Sequence, residues 1–189
     1  MPLPLIIDSD FSLRVLVESD APLLFSLTDM NRAYLRSWLP WLDGVRTVED
    51  TQKFIQLTLK KLKERTGLSL GIIYRKHLVG VIDLHEMDLI NRHAKIGYWL
   101  DQKSQGKGIM TRSADALVHY AFEDLSLNRL EIRVAPGNES SQRIPRRLGF
   151  IHEGKLAQAE WLYRRFVDHD VFGMTRDQWA STQTESEIN

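Results

Sequence analysis

The chain reads as an α+β protein: a central mixed, mostly antiparallel twisted sheet of about seven strands with helices on both faces. Three observations predict it. Residues 69–74, 79–84 and 94–100 are apolar, β-branched or aromatic runs joined by short links, the pattern of an antiparallel meander. Residues 96–112 (IGYWLDQKSQGKGIMTR) pass from a strand through a glycine turn into a helix whose Ala114, Leu117, Val118, Ala121, Phe122 and Leu125 share one face. Residues 129–134 (RLEIRV) then form a strand reached by a helical crossover, and so parallel to its predecessor.

In chain order, residues 11–17 alternate as a first strand. Ser19-Asp20 caps a helix carrying Leu23, Leu24 and Leu27, which breaks near Asn31 and stops by Pro40. Trp38-Leu39-Pro40-Trp41-Leu42 sets two tryptophans around a proline that no helix interior accepts. This stiff apolar corner serves either the core or the wall of a cleft. Thr47 and Asp50 resemble a capping box, and Phe54, Ile55, Thr58, Leu59 and Leu62 supply an apolar face before Gly67 ends that helix. The strands at 69–74 and 79–84 form a hairpin across Arg75-Lys76-His77. After the crossover strand, residues 135–141 (APGNESS) make a loop and a cap leading into a short helix that ends at Leu148-Gly149. Pro145 lies inside this helix and cannot donate to the carbonyl of Ser141, which is left free for another partner. Residues 150–156 and 166–174 close the sheet. One domain spans 1–180, and the polar residues 181–189 form a flexible tail.

Composition narrows the functional classes. A chain of 189 residues suits one domain with a substantial core. Acids and bases number 25 each without a long block of either sign, which argues against attachment to nucleic acid or to anionic lipid. Lys60-Lys61-Leu62-Lys63-Glu64-Arg65 reads most simply as the solvated side of a helix. There is no cysteine, so disulfides, thiolate nucleophiles and cysteine metal sites are all excluded. No run reaches membrane-spanning length and the N-terminus lacks a signal-peptide layout, which predicts a cytoplasmic protein. The histidines at 77, 85, 93, 119, 152 and 169 have no paired helical spacing, so no metal site is expected.

The glycine turn carries the chemistry. Gly106 and Gly108 tolerate positive φ, and the free N–H groups at the start of the following helix carry partial positive charge. With the amides of Lys107, Ile109 and Met110 they form an anion seat, to which Lys107 and Arg112 add charge. A strand-to-helix turn that needs glycine for geometry alone is the competing account. The P-loop spacing is missing, and the Rossmann fingerprint lacks its third glycine.

These motifs resemble the GNAT superfamily of N-acetyltransferases. Lys103-Ser104-Gln105-Gly106-Lys107-Gly108 corresponds to the family's phosphate-binding signature, with Lys103 where glutamine or arginine is usual. Asn138, Ser141 and Leu148-Gly149-Phe150 reproduce the polar and leucine-glycine-phenylalanine positions of its later helix. Residues 34–42 (YLRSWLPWL), 96–100 (IGYWL) and 153–161 (EGKLAQAEW) are similar to the subgroup that acetylates the N-terminal serine or alanine of ribosomal proteins.

The resemblance implies a V-shaped splay between strands four and five, with the strand holding Tyr98-Trp99-Leu100 bulged and the arm of acetyl-coenzyme A in the gap. It implies cofactor contacts from Trp99, Leu100, Gln105, Gly106, Lys107, Gly108, Ile109, Met110, Thr111 and Asn138, with the main chain near Trp99 and Leu100 holding the thioester oxygen. Glu160 is the implied general base, against the alternative of an exposed structural carboxylate. Ser141 is the implied donor to the departing thiolate, against simple helix capping. Trp38, Trp41, His85 and Glu86 are candidates for the acceptor side, His85 and Glu86 also as a second proton route. The acceptor is expected to be a protein N-terminus such as that of a ribosomal protein, attacking directly in a ternary complex, and a homodimer is plausible from the subgroup. A small amine (polyamine, amino acid or aminoglycoside) and a non-catalytic coenzyme A-binding role are the rival readings.

Overall fold

The computed structural model describes residues 3–187. Strands β1 (Leu5–Asp8), β2 (Phe11–Val15), β3 (Leu68–Tyr74), β4 (His77–Asp88), β5 (His93–Leu100), β6 (Arg129–Val134), β7 (Ile151–Leu162) and β8 (Arg165–Thr175) form one sheet ordered β1-β2-β3-β4-β5-β6-β8-β7. Every neighbouring pair is antiparallel except β5 and β6, which are parallel as their helical crossover requires. The strand beyond the expected number is β1, four residues with only Leu5 buried, too short for alternation to declare itself.

Helices cover both faces. On one, α1 (Ala21–Met30) and α3 (Val48–Lys63) bury Ala21, Leu24, Leu27 and Ile55 against Leu16, Leu78 and Val81. On the other, α4 (Ile109–Glu123) buries the face foreseen from its spacing, with Ala114, Leu117, Ala121 and Phe122 at 0 % exposure. A buried leucine or phenylalanine contributes about 1.5–3 kcal/mol, so this face alone explains why the crossover helix holds its place. Ile144 and Trp179 join the same core from α5 (Glu139–Arg147) and α6 (Arg176–Glu187). The break foreseen near Asn31 separates α1 from a short α2 (Arg32–Leu35).

Several boundaries differ from the sequence reading, each for a local reason. The Thr47–Asp50 capping box is present, but α3 stops at Lys63 and the left-handed residue that follows is Arg65 (φ 57°), ahead of Gly67. Arg75 and Lys76 take positive φ (48° and 65°), which makes a two-residue hairpin turn of the kind glycine and asparagine usually serve, and it lets β4 begin at His77. Residues 181–187, read as a loose polar tail, continue α6, while 188 and 189 lie outside the described residues.

Two features of the sheet position the site. β5 and β6 pair only where His93, Ala94 and Lys95 face Arg129, Leu130 and Glu131, so the two strands part beyond Lys95. This is the foreseen V-shaped splay, without the foreseen bulge: from Ile96 to Leu100, β5 keeps unbroken register with β4, and their one register shift lies between His85 and Asp88. The second feature is an extra residue in β4. Ile72 pairs with Gly80 and Ile73 with Leu78, so Val79 is unmatched, and Val81, Asp83 and His85 all turn toward the side covered by α1 and α3.

Candidate active site

The gap between β5 and β6 opens into two adjoining cavities of about 270 and 490 Å³. They share Trp38, Leu39, Tyr98, Trp99, Asn138 and Ser141, so these residues stand at the passage between them.

The smaller cavity is built largely from main chain. Gly106 and Gly108 both have φ of 72°, and a Cβ placed on either would meet nothing within 4 Å, leaving their surface open. Among the described residues, the amides of Gly106, Lys107, Gly108, Ile109 and Met110 donate to no protein acceptor; that of Gln105 is engaged by the Gln102 carbonyl at 3.3 Å. Five successive free N–H groups, in the turn and at the start of a 15-residue helix, offer the donors that a diphosphate needs. The residues present therefore fit acetyl-coenzyme A.

The turn is braced from behind. The Asn31 side chain donates to Asp101 Oδ1 (2.9 Å) and accepts from the Gln102 amide (3.0 Å), tying the end of α1 to the turn. The Gln105 side chain donates to the Tyr34 hydroxyl. Two expected contributions fall elsewhere. Lys107 lines neither cavity, because its Nζ donates to the Lys103 carbonyl (2.9 Å), and Arg112 pairs with Asp8 (2.7 Å) at the sheet edge. Charge comes instead from Arg143 and Arg147, which line the cavity one helical turn apart on α5. Their spacing behind the Asn138 cap was the readable signal for them.

The open edge of β5 supplies further donors. The Asp101 amide donates to the Val79 carbonyl, so Trp99 and Gly97, of the same parity, turn their main-chain groups toward β4. Those of Tyr98 and Leu100 point the other way, into the gap. The expected donor at Trp99 is thus replaced by Tyr98, while the Trp99 ring lines both cavities 6.5 Å from Trp41.

At the passage, the freed carbonyl of Ser141 accepts a hydrogen bond from the Tyr98 hydroxyl (2.9 Å). Burial pushes the Tyr98 phenol well above its usual pKa, so it stays protonated and donates. The helix cap is Asn138, whose Oδ1 accepts from the Ser141 amide (3.2 Å) and the Ser140 hydroxyl (3.0 Å). Ser141 is therefore no cap, and its hydroxyl makes no hydrogen bond among the described residues.

The larger cavity is assembled from distant strands. Trp38, Trp41 and Phe54 form an apolar wall. Glu160 enters from β7 through a bulge: between its pairing with Val167 and that of Leu156 with His169, three residues face one, and Gln158 takes φ of 50°. Its carboxylate lies 3.5 Å from His169 Nε2. His85 and Glu86, expected to act together, have separate partners: His85 Nδ1 lies 2.9 Å from Asp83, and Glu86 pairs with Lys95, whose ammonium holds its carboxyl below the usual carboxylate range. His169 and Asp83 were not foreseen, because only tertiary pairing brings them here. Among the described residues, no group of three or more histidine, aspartate or glutamate side chains could hold a metal ion, and no helix is long and apolar enough to cross a membrane.

An open diphosphate seat, a splayed parallel pair with outward amides and an acceptor cavity meeting them at one serine define an acetyl-coenzyme A-dependent acyltransferase. The chain belongs to the GNAT acetyltransferase family, whose domain model, described as "Acetyltransferase (GNAT) domain", matches residues 10–151. It is similar to the putative ribosomal N-acetyltransferase YdaF of Bacillus subtilis (strain 168), 34% identical over 176 residues, 92% of this chain and 95% of the relative. It is also similar to the ribosomal-protein-serine acetyltransferase of Escherichia coli (strain K12), 31% identical over 172 residues, 90% of this chain and 96% of the other. Among solved structures, RimL, described as a ribosomal alpha-N-protein acetyltransferase in complex with coenzyme A, superposes with a TM-score of 0.89 at 30% identity, covering 93% of this chain and 99% of that one. The protein is an N-acetyltransferase, and its cosubstrate is acetyl-coenzyme A.

Proposed function

We propose that the enzyme acetylates the N-terminal α-amine of a protein, a ribosomal protein such as those its relatives are named for being the first candidate. The observation that carries this reading is the acceptor cavity: an apolar aromatic wall of Trp38, Trp41 and Phe54 shares it with the Glu160 carboxylate, and Ser141 stands at the passage to the cofactor. Each of its acids has a basic neighbour, Asp83 with His85, Glu86 with Lys95 and Glu160 with His169, and Arg133 in the lining is paired with Glu131, which leaves little grip for a polycation such as a polyamine.

Acetyl-coenzyme A supplies an acetyl group activated as a thioester. The amides of residues 106–110 hold its diphosphate, and those of Tyr98 and Leu100 face the space where the thioester oxygen gains charge. Glu160 takes the proton of the amine, directly or through water, and the Ser141 hydroxyl donates toward the departing thiolate. With no cysteine in the chain, an acetyl-cysteine route is closed and the amine attacks directly in a ternary complex. Magnitudes favour an α-amine: at pH 7 its deprotonation costs about 1 kcal/mol, against about 4.6 for a lysine side chain. Among the described residues the Asn138 side-chain amide donates to no protein acceptor and is open to the substrate at the passage, and Trp38, Trp41 and His85 shape the approach of the peptide.

We further propose a cytoplasmic homodimer with no role for nucleic acid or membrane. A ribosomal acceptor places the enzyme in the cytoplasm. β7, at the sheet edge, is exposed along nearly its whole length, and Trp161 (54 % exposed) packs edge-to-face against Phe166 (58 % exposed) of the neighbouring strand, a surface suited to a second copy. The domain of residues 1–180 carries the whole site. The test is mass spectrometry of a panel of N-terminal peptides, polyamines, amino acids and aminoglycosides after incubation with the protein and acetyl-coenzyme A. Acetylation at peptide α-amines supports the reading; acetylation confined to small amines overturns it.

A further inference from the structure

The proton taken from the amine has to leave the site before the next turnover. A carboxylate of ordinary strength lies about 3.5 pKa units below an α-amine, whereas an imidazole lies only about 1.3 units below it. A proton left on a lone carboxylate sits uphill of the amine it came from. A histidine in contact with that carboxylate offers a better-matched resting place.

His169 occupies that position. Its Nε2 lies 3.5 Å from Glu160 Oε2, its side chain is only 16 % exposed, and both residues line the acceptor cavity. The contact is imposed by the fold: the β7 bulge shifts Glu160 along the sheet, while His169 lies opposite Leu156 on the same pair of strands. Among the described residues the only ion pair of His169 is with Glu160, whereas the second cavity histidine, His85, is held by Asp83.

We propose that His169 is a positioning residue that orients Glu160 toward the amine and takes the amine's proton on from it. An incoming ammonium loses a proton to the Glu160 carboxylate, giving neutral amine and carboxylic acid. That acid passes the proton to neutral His169 at Nε2, which regenerates the carboxylate and forms imidazolium, and the imidazolium releases its proton to solvent. No oxidant or further reactant is needed. The inference rests on the reading of Glu160 as the base. The other titratable or charged groups lining the cavity are Asp83, His85, Glu86, Lys95 and Tyr98 from β4 and β5 and Arg133 from β6; Asp83 is paired with His85, Glu86 with Lys95, Arg133 with Glu131, and the Tyr98 hydroxyl donates to the Ser141 carbonyl. On the strand that bears His169, Asp168 is hydrogen-bonded to the Gln158 amide and Asp170 to Gln142.

The test uses the purified enzyme, acetyl-coenzyme A and a short synthetic peptide with a free N-terminal serine. His169→Gln keeps an amide donor near Glu160 and cannot carry the proton. It is expected to lower kcat about tenfold, to leave KM for acetyl-coenzyme A within about twofold, and to move the acid limb of the kcat/KM profile down by a pH unit or more. His169→Ala should lose more, since orientation goes as well. A folded His169→Gln enzyme with normal cofactor affinity and an unmoved acid limb, or with full kcat, overturns the proposal. Glu160→Gln separates the two readings. If it loses activity while His169→Gln does not, only the role of His169 falls, and if Glu160→Gln is fully active the base itself is misidentified.

Discussion

The two cavities that meet at Ser141 are built on different principles. The cofactor side is main chain: free amides of a short turn, an outward strand edge and the start of a helix, with side chains as bracing. The acceptor side is side chain throughout, delivered by the corner at Trp38 and Trp41, the shifted register of β4 and the bulge of β7. A main-chain seat depends on few residue identities and recognises what every acetylation shares. A side-chain cavity is free to vary with the acceptor, so chemistry is fixed on one side of the passage and specificity is adjustable on the other.

Substitutions that respect this division should separate binding from turnover. The largest effect is expected at Gly108: valine there puts a β-branched residue at φ 72° and fills the open surface of the seat, so acetyl-coenzyme A affinity should fall by about a hundredfold or more in calorimetry. Apart from its chain neighbours no protein atom lies within 4 Å of the new Cβ, so the cost to the fold is the local backbone strain at φ 72°, and circular dichroism checks that the variant is folded. Glu160→Gln should do the converse, lowering kcat about a hundredfold with unchanged cofactor affinity. Ser141→Ala should lower kcat about tenfold through one lost hydrogen bond to a developing charge. Because Asn138 is the cap, that variant should keep its melting temperature, whereas Asn138→Ala should lose about 1 kcal/mol of stability.

Smaller effects test the passage and the rim. Tyr98→Phe leaves the Ser141 carbonyl unpaired, at a cost of about 1 kcal/mol in denaturant unfolding. Since the Tyr98 phenol is pushed up by burial, this hydrogen bond should persist across the whole working pH range and be lost only in strong alkali. Arg147→Ala should weaken acetyl-coenzyme A only about threefold, and less at high salt, because its charge is exposed.

The same division explains what could be read from the sequence. Gly106 and Gly108, the face of α4, the parallel crossover and the carbonyl released by Pro145 all follow from residues close together in the chain, and each is found in the fold. Trp38 and Trp41 were read from the proline between them as a stiff corner serving core or cleft, Glu160 was reached through family likeness, and all three line one cavity. His169, Asp83 and the turning of Arg112 toward Asp8 were out of reach, because each depends on which residues of distant strands fall opposite one another. Periodicity cannot report a bulge. One extra residue at Val79 and the mismatch between Leu156 and Glu160 decide which side chains enter the acceptor cavity.

The account stands on the turn at 106–110 as the seat of the diphosphate. A crystal structure with coenzyme A bound tests it most directly. The expected result is diphosphate oxygens about 2.7–3.2 Å from amides of Gly106 to Met110, with the thiol arm running between β5 and β6 toward Ser141. A diphosphate bound elsewhere, with these five amides facing only water, would contradict it.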